Sequence, residues 1–131
     1  MAVKANITID QGTDFDATID LSDAGGVPVN LTGYSVYSQM RKNYAASSPA
    51  ATFQTSHNNE AGQITLVLPS TDYQLTDSNN NVITHPGTTS LEPGRYLYDV
   101  EIQAPQVANT AGKISRVVEG TVTVTPGITR T

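Results

Sequence analysis

Leu91-Glu92-Pro93-Gly94-Arg95-Tyr96-Leu97-Tyr98-Asp99-Val100-Glu101-Ile102 is the most ordered pattern in the chain. From Tyr96 onward, Tyr96, Tyr98, Val100 and Ile102 alternate with Leu97, Asp99 and Glu101, which is the two-residue period of a strand with one buried and one wet face. Pro93-Gly94 supplies the turn that feeds it, because glycine accepts backbone angles that other residues avoid. A tyrosine two residues after that glycine has the spacing of a corner in which the phenol bonds back to upstream backbone. Gly94 and Tyr96 are therefore expected to act structurally, as turn and anchor.

Working outward, the same period recurs on both sides. Ile7 and Ile9, then Phe15, Ala17, Ile19 and Leu21, alternate across a break at Gln11-Gly12. Val36, Ser38 and Met40 alternate with Tyr37, Gln39 and Arg41, and Ile64, Leu66 and Leu68 form a further strand ended by Pro69. Phe53 anchors a short strand, and Val118, Val122 and Val124 lie in phase in the last one, where the adjacent Val117-Val118 marks a bulge. Ser70 to Leu75 reads as one turn of helix capped by Ser70 or Thr71, too short to be stable alone. Thr76 to Ser90 is polar and punctuated, the longest weakly structured segment. The expectation is a single domain over residues 1–131, all-β, with about seven strands and a polar loop insertion at about 76–90. Strands with one apolar and one polar face favour an antiparallel sandwich, and the corner motif narrows it to the immunoglobulin-like class; a small barrel is the alternative. The expected core is Phe15, Ile19, Val36, Met40, Phe53, Ile64, Leu66, Tyr96, Tyr98, Val100, Val122 and Val124.

Composition agrees with that class. The 131 residues include ten glycines and seven prolines but no tryptophan or cysteine, so disulfides, thiolate metal sites and cysteine nucleophiles are excluded. Twelve acids against seven bases give a charge of -5, which argues against a nucleic-acid partner, since such a partner needs clustered bases. No apolar run at the start has signal-peptide length and none approaches a membrane span, so no membrane partner is expected.

Few residues suggest chemistry. Asp10, Asp14 and Asp16 are close in sequence, but their spacing is not that of a calcium loop and a solvated strand face explains them. His57 and His85 fall in expected loops without ligand spacing, and no nucleophile elbow or phosphate-binding loop is present. No catalytic residue, metal, cofactor or small-molecule substrate is therefore expected. Arg41-Lys42, Arg95 and Arg116 enter otherwise apolar strands, where Asp99 or Glu101 would pair with them across the sheet. Arg41, Asn81, His85 and Arg130 are the candidate contacts with partner proteins.

Several short motifs occur in a fixed order: Ile9-Asp10-Gln11-Gly12 with Phe15, Val29-Asn30-Leu31-Thr32-Gly33-Tyr34, Ser38-Gln39-Met40-Arg41-Lys42, Gly62-Gln63-Ile64-Thr65-Leu66, Pro93-Gly94-Arg95-Tyr96 and Arg116-Val117-Val118-Glu119-Gly120. In that order they resemble small virion structural proteins of tailed bacteriophages, with cyanophage forms most similar. Such proteins are similar to the immunoglobulin-like N-terminal domain of upper baseplate proteins. The resemblance implies a non-enzymatic tail, baseplate or fibre-attachment module, assembled in the host cytoplasm, that binds other virion proteins and copies of itself. Capsid decoration as a cement protein, or carbohydrate or receptor binding on the same kind of sandwich, is the alternative. For a sugar site the exposed aromatics would be Tyr37 and Tyr44.

Overall fold

A computed structural model describes residues 3–77 and 79–128. In chain order the strands are β1 (Val3–Lys4), β2 (Ile7–Asp10), β3 (Phe15–Asp20), β4 (Ser35–Arg41), β5 (Ala51–Thr52), β6 (Gln54–Asn58), β7 (Gln63–Leu68), β8 (Tyr73–Thr76), β9 (Val82–His85), β10 (Gly94–Gln103) and β11 (Ile114–Thr125). A single turn of 3-10 helix, Thr88–Ser90, precedes β10. The chain is all-β, in several sheets that do not close into a barrel.

The largest sheet is built around the stretch singled out above. β10 pairs antiparallel with β11 on one side and β4 on the other, and β5 extends β4. β1 and β2 lie end to end along the far edge of β11, both parallel to it. A second sheet has the antiparallel order β3-β7-β6, and β8 with β9 makes a separate hairpin. The register between β10 and β11 slips between Val100 and Glu101, which face Val118 and Arg116, so Val117 is the extra residue of a bulge at the expected position.

The inner faces of the two larger sheets meet in one hydrophobic cluster. Met40, Tyr98, Val100 and Val122 come from one sheet and Ile64, Leu66 and Leu68 from the other. Phe53, in the break between β5 and β6, bridges them, with its ring 6.0 Å from Phe15 and 6.3 Å edge-on from Tyr98. Phe15, Ile19 and Val36 are half-buried against this cluster, and the other expected core residues are buried. Ile9, Leu68 and Val118, in phase in the sequence but not in the expected core, are buried with them, as are Leu31 and Leu91, which the alternation did not single out.

The N-terminal attachment has an unusual join. Ala5 donates its N–H to the Glu119 carbonyl, but its own carbonyl is turned to the Tyr98 hydroxyl at 2.6 Å, and the Asn6 side chain accepts the Thr121 N–H instead. This kink separates β1 from β2. It passes so close to Gly120 that a Cβ there would sit 2.1 Å from the Ala5 oxygen.

Residues 70–90 depart from the sequence expectation. The expected helical turn at 70–75 and the loop at 76–90 are instead largely the β8–β9 hairpin, with Tyr73 opposite His85 and Leu75 opposite Ile83. Val82-Ile83-Thr84 is a β-branched run suited to a strand. Its turn is closed by Asp77, whose carboxylate accepts the N–H groups of Asn79 and Asn81, with Asn80 in the left-handed region at φ 65.

Candidate functional site

The corner at the start of β10 is made by backbone geometry and one phenol. Gly94 takes φ 145, and the Tyr96 hydroxyl donates to the Glu92 carbonyl at 2.7 Å. Burial first, with the Glu92 charge added, raises the Tyr96 pKa. Lys42 Nζ lies 4.7 Å from the centre of the Tyr96 ring. Gly94 and Tyr96 thus sit together at a strand entry and anchor it.

The candidate contacts fall in separate places. Arg41, at the end of β4, lies in a depression of 590 Å³ on the outer face of the large sheet, which Gln39, Asp99, Glu101, Arg116 and Glu119 also line. The expected cross-strand pairing with Asp99 is made by Arg116, at 3.1 Å, and Arg116 also meets Glu119 at 3.3 Å. Both ends are part-exposed, so these pairs add little stability. Arg41 does not follow that expectation: its guanidinium donates to the Ala46 carbonyl at 3.0 Å and to Gln39 Oε1 at 3.1 Å, because the 43–50 loop folds over it. Tyr44 in that loop lines the depression and is 88% exposed.

Asn81 and His85 both belong to the hairpin, Asn81 just before β9 and His85 at its end, on one side of the extended chain but about four residues' length apart. The His85 ring stacks on Tyr73, with centroids 5.3 Å apart, and the Tyr73 hydroxyl donates to the Thr52 carbonyl. Burial pushes the Tyr73 phenol up to about 12. The base of the hairpin is clamped by Asp72, which accepts the Gly87 N–H at 3.0 Å and the Ser90 hydroxyl at 2.7 Å; the Gly87 bond first, then Ser90, lowers its pKa. Beyond this clamp Leu75, Val82 and Ile83 are exposed. Arg130 lies outside the described residues.

The two histidines are placed by strands rather than by the expected loops. His57 is half-buried in β6 with Nε2 3.1 Å from the Tyr34 carbonyl, and His85 belongs to β9. Among the acids, Asp10 accepts the Thr125 hydroxyl at 2.7 Å and Asp14 accepts the Ser70 N–H at 2.8 Å, so each carboxylate secures a chain crossing. Among the described residues no three His, Cys, Asp or Glu side chains cluster as metal ligands.

Sequence reasoning missed the exposed apolar strip on the hairpin. Its signal was there, as Leu75 and Ile83 at matching distances from an Asp77–Asn81 turn. The four-residue strands were too short for the period to stand out. Neither a family model nor a curated protein matches the chain.

Proposed function

We propose that the protein is a non-enzymatic assembly module of a tailed-phage virion, an immunoglobulin-like sandwich that works by contacts with other virion proteins. The strand order supports the fold part of this reading. In an immunoglobulin-like sandwich the second, fifth and fourth strands share one sheet, and the third, sixth and seventh share the other. Taking β2, β3, β4, β6, β7, β10 and β11 as the seven, the order β3-β7-β6 faces the order β4-β10-β11 in just that way. The first strand departs from the simplest form, since it joins β11 rather than β3.

The observation that carries the assembly role is the β8–β9 hairpin. It is anchored at its base by Asp72 and presents Leu75, Val82 and Ile83 to solvent at 39%, 61% and 43% exposure. An isolated two-stranded hairpin is marginal in water, and covering by a neighbouring virion chain would stabilise it. The resemblance of the ordered sequence motifs to phage structural proteins is the ground for the virion context. Quantitative mass spectrometry of purified particles tests the reading: the chain is expected at a fixed copy number per particle, and its absence from particles would overturn it.

One feature favours the second reading. Tyr44 at the rim of the depression beside Gln39, Arg41 and Glu101 joins an aromatic platform to planar hydrogen-bonding groups, as a saccharide site requires. Glycan-array binding that Tyr44→Ala abolishes would favour this function over assembly.

A further inference from the structure

The hairpin carries an inference about what covers it. Asp77 donates its N–H to the Asn81 carbonyl at 2.9 Å, which makes Asp77 and Asn81 a hydrogen-bonded pair. Such pairs alternate along an antiparallel ladder, so Leu75 with Ile83 and Tyr73 with His85 are the next two. The N–H and C=O groups of Val82 and Thr84 therefore point away from β8, along the outer edge of β9.

Of the other edge strands, β2, β3 and β6 are protected in ways that β9 is not. The edge strand β3 carries Asp16 and Asp20, with Asp14 just before it, and β2 ends in Asp10. Charges of this kind block strand addition. β6 is a run of polar side chains, Gln54-Thr55-Ser56-His57-Asn58. β9 holds Val82-Ile83-Thr84-His85, with no acid, Lys, Arg or proline, and Val82 and Ile83 are exposed. In a chain of net charge -5, copies repel one another least where the surface is uncharged.

We infer that β9 pairs with β9 of a second copy of this chain across a two-fold axis. The inference deepens the assembly reading, and rests on it for the hairpin being a contact surface. The register is set by the outward groups. Val82 of each copy exchanges both backbone bonds with Thr84 of the other, and Ile83 lies against Ile83 on the axis. The same register puts Asn81 beside His85 of the other copy. It also makes an uninterrupted apolar row across four strands, Leu75, Ile83 and their two counterparts. The contact is self-complementary, as an isologous interface must be. It is far smaller than the roughly 1,600 Å² of a standard interface, so the dimer is concentration-dependent and is reinforced by the other contacts of an assembly.

The full chain has no cysteine, which makes a single substitution informative. Ile83→Cys places two thiols on the axis in a non-hydrogen-bonded pair, where side chains approach most closely. Under mild oxidation it is expected to form at least about tenfold more covalent dimer than Val107→Cys, an exposed control in a distant loop. Adding Thr84→Pro, which removes an outward N–H and leaves the hairpin's own bonds intact, should erase that excess. In sedimentation velocity the unsubstituted chain should show a concentration-dependent dimer, weakened at least about tenfold by Ile83→Lys. Equal cross-linking of the two cysteine variants, or a monomer at every concentration, overturns the inference. A chain that pairs in solution yet is missing from particles overturns the virion reading alone. A chain found in particles that does not pair overturns the pairing alone.

Discussion

β10 with β11 and β8 with β9 are both antiparallel pairs of alternating sequence, yet they live under opposite conditions. β10 has a neighbour on each side and a second sheet above it, so Tyr96, Tyr98, Val100 and Ile102 are all buried. Among the described residues the hairpin has no third strand; Tyr73 at its base packs against the core, but Leu75, Val82 and Ile83 stay between 39% and 61% exposed. The local chemistry is the same in kind. What differs is how many partners each strand has, and burial follows from that more than from the apolar content of the strand itself.

The sharpest way to break the comparison is to shorten one leucine in each region. Leu66→Ala, fully buried between the sheets, is expected to lower unfolding stability by about 3 kcal/mol, whereas Leu75→Ala in the hairpin should cost under about 1 kcal/mol. Equal shifts in denaturant midpoint would show that the hairpin is as much a part of the core as β7. Next in size is the corner bond: Tyr96→Phe removes one hydrogen bond and little packing, for a loss of about 1 kcal/mol at neutral pH. An unchanged midpoint would mean that the bond to Glu92 contributes nothing.

Alkaline titration compares the regions through their tyrosines. Burial raises the pKa of Tyr73 in the hairpin and of Tyr98 in β10, so the folded state favours the neutral phenol in both. Their contribution is complete below the ordinary phenol pKa of about 10 and is lost as pH rises through the folded value, which for Tyr73 is about 12. Thermal unfolding should therefore move to lower temperature above pH 10, and Tyr73→Phe should remove part of that fall. The smallest expected effect is at Asp72. Its folded pKa lies below the ordinary carboxyl value, so the clamp is intact above about pH 4 and is lost as pH falls through the lower folded value. The protection factor of the Gly87 amide should fall on that acidification while those of the β10 amides hold. A matching loss of protection in both would tie the hairpin to the core.

The contrast also explains what could be read from sequence. Ten consecutive residues of β10 repeat their period often enough to be unmistakable, and the bulge at Val117 was marked by two adjacent valines where one was due. The hairpin strands have four residues each, too few for the alternation of Tyr73 and Leu75 to stand out, and Val82 beside Ile83 interrupts it, so the turn chemistry of Asp77 and Asn80 was the better clue. Leu31 and Leu91 were hidden for another reason. They lie outside any strand and are buried because distant segments cover them, Leu91 beside the Gln11 side chain that donates to its carbonyl at 2.7 Å. The candidate contacts divide in the same way. Arg41 stood out by its charge in an apolar strand, but the loop carbonyl that holds it is fixed by chain folding, which no spacing encodes.

The parallel course of β1 and β2 along β11 has a mechanical consequence. Because the first and last strands run in the same direction, a pull that separates the two ends of the chain drags them past each other along their length. Every rung from Val3 opposite Val118 to Asp10 opposite Thr125 is then loaded in shear and shares the force. An antiparallel pairing of the same strands would peel open one rung at a time. In a part held by both of its ends under tension, that side-by-side patch carries the load and sets the force at which the rest of the fold begins to open.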